Sequence, residues 1–296
     1  MQDWESKFRE WAKPPSDAEQ ARCERTINLI REAVKKDPSL SQRNVRAFVQ
    51  GSYRNNTNVR RDSDVDVGVA CYDTFFYDLP DGGTRADFGI TPATYHYESF
   101  KSDLGRALAN YFEPGSVTRG NKAFDIKSSR TQVEADVAAF FPYRRYYSQN
   151  HNHEGVELLP DDKNPSRIIN WPEQHHENGV TKNNRTGYRY KALVRVVKSL
   201  RNEMSDAGVD SAHPIIGFLS ECLLWNTPDS KLVHERYDLS VRETLAYLIN
   251  ATSSDQTCGK WCEVSDLKYL FSSDQKWSRH HVHLFLWDAW RYVGFK

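Results

Sequence analysis

Asp64 and Asp66 stand two apart at the head of the apolar run DVDVGVAC (64–71), near the end of the stretch GSYRNNTNVRRDSDVDVG that spans residues 51–68. In an extended strand such residues project from one face, about 6–7 Å apart along the chain. Two carboxylates placed together repel unless a cation sits between them. A hard divalent ion with oxygen ligands, Mg²⁺ or Mn²⁺, meets that need. A third carboxylate from a neighbouring strand would complete a two-metal site. Such a site activates an attacking hydroxyl and steadies the leaving oxygens of an in-line phosphoryl displacement. Asp136, in QVEADVAAFF, is the natural third acid, since a carboxylate buried unpaired in an apolar strand is costly. Asp125, in AFDIKS, is its rival on a shorter and more polar strand.

Gly51-Ser52 fits the same chemistry. Glycine lets the backbone approach closely, and the Ser52 hydroxyl with the amides of the following turn offers donors to a triphosphate. Taken singly these features are weak. Asp-x-Asp is common at strand edges, and Gly-Ser is more often only a turn. The order is more specific: a strand, Gly-Ser, twelve residues to Asp64, then a further aspartate in a later strand.

The rest of the chain must position these groups. Its 296 residues allow a large core and two lobes. Lys+Arg and Asp+Glu are both 40, a balance that argues against constitutive binding of a large nucleic acid. No apolar run approaches the roughly 20 residues that span a bilayer, and MQDWESKFREW is charged and amphipathic rather than a signal peptide. Five scattered cysteines read as reduced thiols in a cytosol.

Patterning predicts a helix over 17–36, with Ser16 and Glu19 as a capping box and Ile27, Ile30 and Val34 as its stripe. Strands are expected at 45–50 and 64–71, with a short helical turn at 53–58. Residues 73–94 read as a loop and 98–112 as a helix. Two more strands fit 122–127 and 131–141. The Asn-, His- and Pro-rich segment 148–186 reads as a long, partly irregular connection holding one packed element, RIINWP (167–172). Helices then follow at 188–205, 214–226, 239–251 and 280–293.

GSYRNNTNVRRDSDVDVGV resembles the polymerase-β-type nucleotidyltransferase signature, in particular that of the cGAS/DncV-like nucleotidyltransferases (CD-NTases). RIINWPEQHHENGVTKNNRTGYRYKALVRVVKSLRN (167–202) and SAHPIIGFLSECLLWNTP (211–228) resemble that family's linker and following helices. The likeness covers most of 16–250, departs at 73–94 and fades after 250. It implies an α+β fold: a polymerase-β-like lobe (1–165) with a mixed sheet flanked by helices, and a helical lobe (166–296) completing a nucleotide cleft. It implies Asp64, Asp66 and Asp136 as catalytic metal ligands, with Asp136 also assisting as base, and Gly51 and Ser52 at the phosphates.

Lys191, Arg195 and Lys198 lie opposite Leu193, Val197 and Leu200, by themselves a solvated helix face. The resemblance carries Lys191 and Lys198 to triphosphate contacts and leaves Arg195 and Arg201 as surface or ion-pair residues. Tyr188 and Tyr190 suit either base stacking or the core. Asn170 offers both a donor and an acceptor, and by resemblance it lines the base pocket. Its plain alternative is a turn cap before Pro172. The His clusters and Cys258-x₃-Cys262 have loose spacing for zinc and read as loop or packing residues.

The resemblance therefore implies a cytoplasmic, monomeric bacterial enzyme that makes a cyclic oligonucleotide, a dinucleotide in the first instance, from NTPs. A separate effector would sense the product in anti-phage defence. The rivals are a nucleotidyltransferase acting on RNA or a small molecule, and a non-catalytic nucleotide-binding module.

Overall fold

The computed structural model describes residues 2–59, 64–130, 132–273 and 275–296. Residues 60–63, inside the motif and its twelve-residue spacing, lie outside the described residues. In chain order the elements are α1 (Trp4–Trp11), α2 (Asp17–Lys36), β1 (Val45–Val49), α3 (Gly51–Asn55), β2 (Val65–Cys71), β3 (Phe76–Asp78), α4 (Tyr97–Tyr111), β4 (Val117–Arg119), β5 (Phe124–Ile126), β6 (Ala135–Ser148), β7 (His151–Leu158) and β8 (Ile168–Asn170). They continue with α5 (Pro172–Arg185), α6 (Arg189–Asp206), α7 (Gly217–Trp225), α8 (Asp229–Leu232), α9 (Tyr237–Ala251), α10 (Asp255–Cys258) and α11 (Arg279–Val293).

These elements form two compact units that are not consecutive stretches of chain. One comprises Ser16–Gly51 and Ser63–Pro172, the other Met1–Pro15, Ser52–Asp62 and Glu173–Lys296.

The first unit is α+β. Its strands run β1-β2-β6-β5-β4, with β3 and β7 added along the second half of β6 and β8 beside β7. β2 and β6 are parallel, while β1–β2, β5–β6 and β4–β5 are antiparallel, so the sheet is mixed. The central strands bury Val65, Val67 and Val69 on β2 and Val137, Ala139 and Phe140 on β6. α2 is launched by the Ser16–Glu19 capping box and buries Ile27, Ile30 and Val34. α4 buries Phe100, Leu104 and Leu108 and packs on α2, and Phe100 stacks on Phe141 of β6.

The second unit is helical and centred on α6, which buries Leu193, Val194, Val196, Val197, Leu200 and Met204. α1, α7 and α9 pack against it. No helix among the described residues is long and apolar enough to cross a membrane.

Several expected elements are corrected. The loop at 73–94 contains β3 and a 3₁₀ turn at Ala86–Phe88. β4 was not foreseen, because three residues carry too little pattern to see. The connection at 148–186 is mostly regular, holding β7, β8 and the fourteen-residue α5. Its composition hid this: the first half of β7 is polar and only exposed or half-buried, and α5 buries Gly179 and Lys182 rather than an apolar stripe. α7 starts at Gly217, three residues after Pro214.

Candidate active site

The register of the sheet brings three aspartates abreast. Asp66 on β2 is the direct partner of Asp136 on β6, and Asp136 is in turn the direct partner of Asp125 on β5. Directly paired residues put their side chains on the same face, and neighbouring strands lie about 4.8 Å apart. Asp64, one residue before β2, shares that face with Asp66 by the two-residue period.

The charges feel one another. Asp136 is exposed on its strand rather than buried as its apolar neighbours suggested. Its carboxyl is nevertheless pushed up to about 6, first by loss of solvent in the crowded row, then by the charge of Asp125 and a hydrogen bond with it, then by Asp64 and Glu134. Asp125 thus stands beside Asp136 in the same row, and both are exposed, so the burial argument that favoured Asp136 does not separate the two. The missing signal was register, which depends on how β5 pairs with β6.

Gly51 closes one end of this row. Its φ is +66°, a left-handed conformation that L side chains rarely adopt, and a Cβ there would collide with the Asp66 carboxylate. The neighbouring Gln50 N–H donates to the Asp66 carbonyl at 2.9 Å. The glycine at the head of the motif is thereby explained: the backbone lies where any side chain would displace the acid.

The donor set fits a divalent cation. It consists of carboxylate oxygens, the hard ligands that Mg²⁺ prefers, and the charges of Asp125 and Asp64 push on Asp136 with one sign, which a dication would offset. Among the described residues no three His, Cys, Asp or Glu side chains are gathered into a preformed metal cage.

Ser52, Lys191 and Lys198 belong to the helical unit. The segment after Ser52 is held there residue by residue. Arg54 makes a two-pronged pair with Glu173, at 2.8 and 2.5 Å. The Asn55 side-chain oxygen lies 3.2 Å from His176 Nδ1. The Asn56 carbonyl accepts from Arg195 at 2.5 Å, and the Thr57 N–H donates to the Ser52 carbonyl at 2.9 Å.

The basic residues of α6 are not a solvated face. Lys191, Arg195 and Lys198 are all buried, at 8%, 6% and 1% exposure. Lys198 Nζ is 2.6 Å from Glu221 Oε1; burial pushes the Glu221 carboxyl up, but Lys198 and His175 together hold it well below the usual carboxylate range. Burial lowers the Lys191 ammonium, while Glu221 pulls it back up.

Arg195, expected at the surface or in an ion pair, instead gives two hydrogen bonds to the Ala12 carbonyl, at 2.9 and 2.5 Å. The reason is α1, whose C-terminal carbonyls need donors and whose packing on α6 covers the guanidinium. A short amphipathic segment far away in sequence gave no sign of this.

Tyr190 is core, with its hydroxyl donating to the Glu221 carbonyl at 3.2 Å, whereas Tyr188 is 72% exposed. His175 Nε2 lies 3.0 Å from Glu221 Oε2. Asn170 ends β8, half-buried and paired in register with Val156. Glu221 was missed by sequence reasoning. An acid inside SECLLW, between buried Ser220 and Cys222, was the available signal.

Residues 177–294 match the cGAS/DncV-like nucleotidyltransferase C-terminal helical domain. The likeness thus runs well past residue 250, where it had been expected to fade. The chain is 41% identical to the cyclic dipyrimidine nucleotide synthase CdnE of Legionella pneumophila, over 98% of each chain. It is 39% identical to the cyclic dipyrimidine nucleotide synthase CdnE of Cecembia lonarensis, again over 98% of each. Among solved structures, the Rhodothermus marinus CdnE c-UMP-AMP synthase with Apcpp and Upnpp superposes with a TM-score of 0.85 at 28% identity, covering 98% of this chain and 97% of that one. With its row of aspartates, its mixed sheet and its helical unit, the chain belongs to the cGAS/DncV-like nucleotidyltransferases.

Proposed function

We propose that the chain joins two NTPs into a cyclic dinucleotide with release of pyrophosphate. The observation that carries this reading is the in-register row of Asp66, Asp136 and Asp125, with Asp64 before it and Gly51 against it. The full-length similarity to cyclic dinucleotide synthases supports it.

Asp64, Asp66 and Asp136 are the residues that would hold Mg²⁺ or Mn²⁺. When bound, such ions supply charge stabilisation to an in-line displacement at phosphorus. The chain's own groups do the rest. Ser52 donates its hydroxyl to the triphosphate, with Gly51 keeping the backbone close. Lys191 offers a buried positive charge to the triphosphate, and Lys198 contributes through its pair with Glu221. Asp136, the direct partner of Asp66, would also assist in taking the proton from an attacking ribose hydroxyl. Asn170 reads a base edge through its amide. The similarity to the two dipyrimidine synthases supports a pyrimidine in the product.

On this reading the enzyme is bacterial, cytoplasmic and monomeric. A separate effector senses its product in anti-phage defence.

The test is incubation of purified protein with four labelled NTPs, Mg²⁺ or Mn²⁺, and phosphatase. A phosphatase-resistant product without any added acceptor is expected. Label transfer only to an added RNA or small molecule would replace this reading with an acceptor-modifying transferase.

A further inference from the structure

Thr57, Lys198, Glu221 and His175 form a buried polar cluster inside the helical unit. Lys198 Nζ donates to Glu221 Oε1 at 2.6 Å and to Thr57 Oγ1 at 3.3 Å. Thr57 Oγ1 has one hydrogen, and it goes to Glu221 Oε1. The other carboxylate oxygen of Glu221 faces His175 Nε2 at 3.0 Å. Thr57, Lys198 and Glu221 are 1%, 1% and 4% exposed. Replacing a buried ion pair by apolar side chains is often neutral or stabilising, so stability alone is a weak reason for it. What such a pair supplies is direction.

The direction it fixes is that of the segment carrying Ser52. Thr57 bonds back to the Ser52 carbonyl through its own N–H. α3 has five residues, too few to hold its shape unaided. Arg54, Asn55, Asn56 and Thr57 are nevertheless each gripped by a side chain from α5, α6 or α7. A binding group needs this kind of supporting shell if it is to be held within about 0.5 Å of its working position.

We propose that Thr57 and Glu221 are positioning residues that set the Ser52 hydroxyl for the triphosphate, with Lys198 as the internal counter-charge that makes a buried Glu221 affordable. This rests on the reading of Ser52 as a phosphate donor.

The experiment measures Kd for non-hydrolysable analogues of ATP and UTP with Mg²⁺, alongside thermal midpoint, KM and kcat, in Ser52→Ala, Thr57→Val, Thr57→Ser and the Ser52→Ala/Thr57→Val double variant. Ser52→Ala and Thr57→Val should each weaken binding by about 5–10-fold, the size of one hydrogen bond. Thr57→Ser should restore binding to within about twofold of wild type. The double variant should bind no worse than Ser52→Ala alone, because Thr57 acts through Ser52. Additive losses would overturn the inference, as would a Thr57→Val that lowers the thermal midpoint but leaves both Kd values unchanged. If Ser52→Ala binds like wild type, the phosphate reading of Ser52 fails and the inference falls with it. If Ser52→Ala weakens binding and Thr57→Val does not, only the inference fails. Thr57→Ala carries the same test if the valine variant does not fold.

Discussion

A methyl group on Gly51 would stand 1.9 Å from Asp66 Oδ2 and 2.7 Å from its Cγ. The two residues are fifteen apart in sequence, yet the backbone of one occupies the space a side chain would need beside the other. Gly51→Ala should therefore cost activity more than stability. The left-handed φ adds about 1–2 kcal/mol of strain. Displacing Asp66 by an ångström is expected to lower nucleotidyl transfer by about 100-fold. Paired turnover and melting measurements decide the point. A variant that turns over like wild type would show that Asp66 tolerates displacement.

The third acid can be assigned by comparison. Asp136→Asn should reduce transfer by about 100-fold or more, as expected for a group that acts on the developing charge. Asp125→Asn, which removes only a neighbour, should cost about 10-fold. Steady-state rates at saturating Mg²⁺ are the readout. The reverse ranking would move the role to Asp125.

Arg195→Ala should destabilise the helical unit by about 3 kcal/mol, because the carbonyls of Ala12 and Asn56 lose a charged donor. Urea unfolding measures it. A loss within the roughly 0.5 kcal/mol of an ordinary surface substitution would mean that water replaces the guanidinium.

Glu157 makes stability depend on pH. It is 2% exposed on β7, and its Oε2 is 3.7 Å from Arg167 Nη1, beyond hydrogen-bond reach. Burial raises its carboxyl from 4.5 to about 7, against the pull of Arg167 and with a further push from Asp78. A raised acid favours the fold while it is neutral. The contribution is present in full below pH 4.5 and is lost as pH rises through about 7. At about 1.36 kcal/mol per pH unit, the loss is roughly 3 kcal/mol. Unfolding free energies across this range should show Glu157→Gln gaining on wild type as pH rises. A constant difference would place the ionised group in contact with water.

Asn170→Ser tests base choice. With the four labelled NTPs offered singly and in pairs, an altered nucleotide preference with activity retained is expected, since a site built on hydrogen bonds discriminates strongly. An unchanged product spectrum would leave Asn170 as the end of β8.

Long, strongly periodic elements were legible from sequence alone, because their own residues dictate them. α2 has its capping box and apolar stripe, and α6, α9 and α11 have theirs. The candidate acids were legible too, since Asp64-x-Asp66 after Gly-Ser and an aspartate at the head of an apolar strand are local facts of the chain. Tertiary structure decided the rest. It set Asp125 level with Asp136, because strand register depends on pairing and not on either strand's composition. It buried Lys198 beside Glu221 and turned Arg195 toward the end of α1, because the helices that surround α6 supply its partners from distant parts of the chain. A helical wheel records which residues share a face. Only the packing decides whether that face meets water or protein.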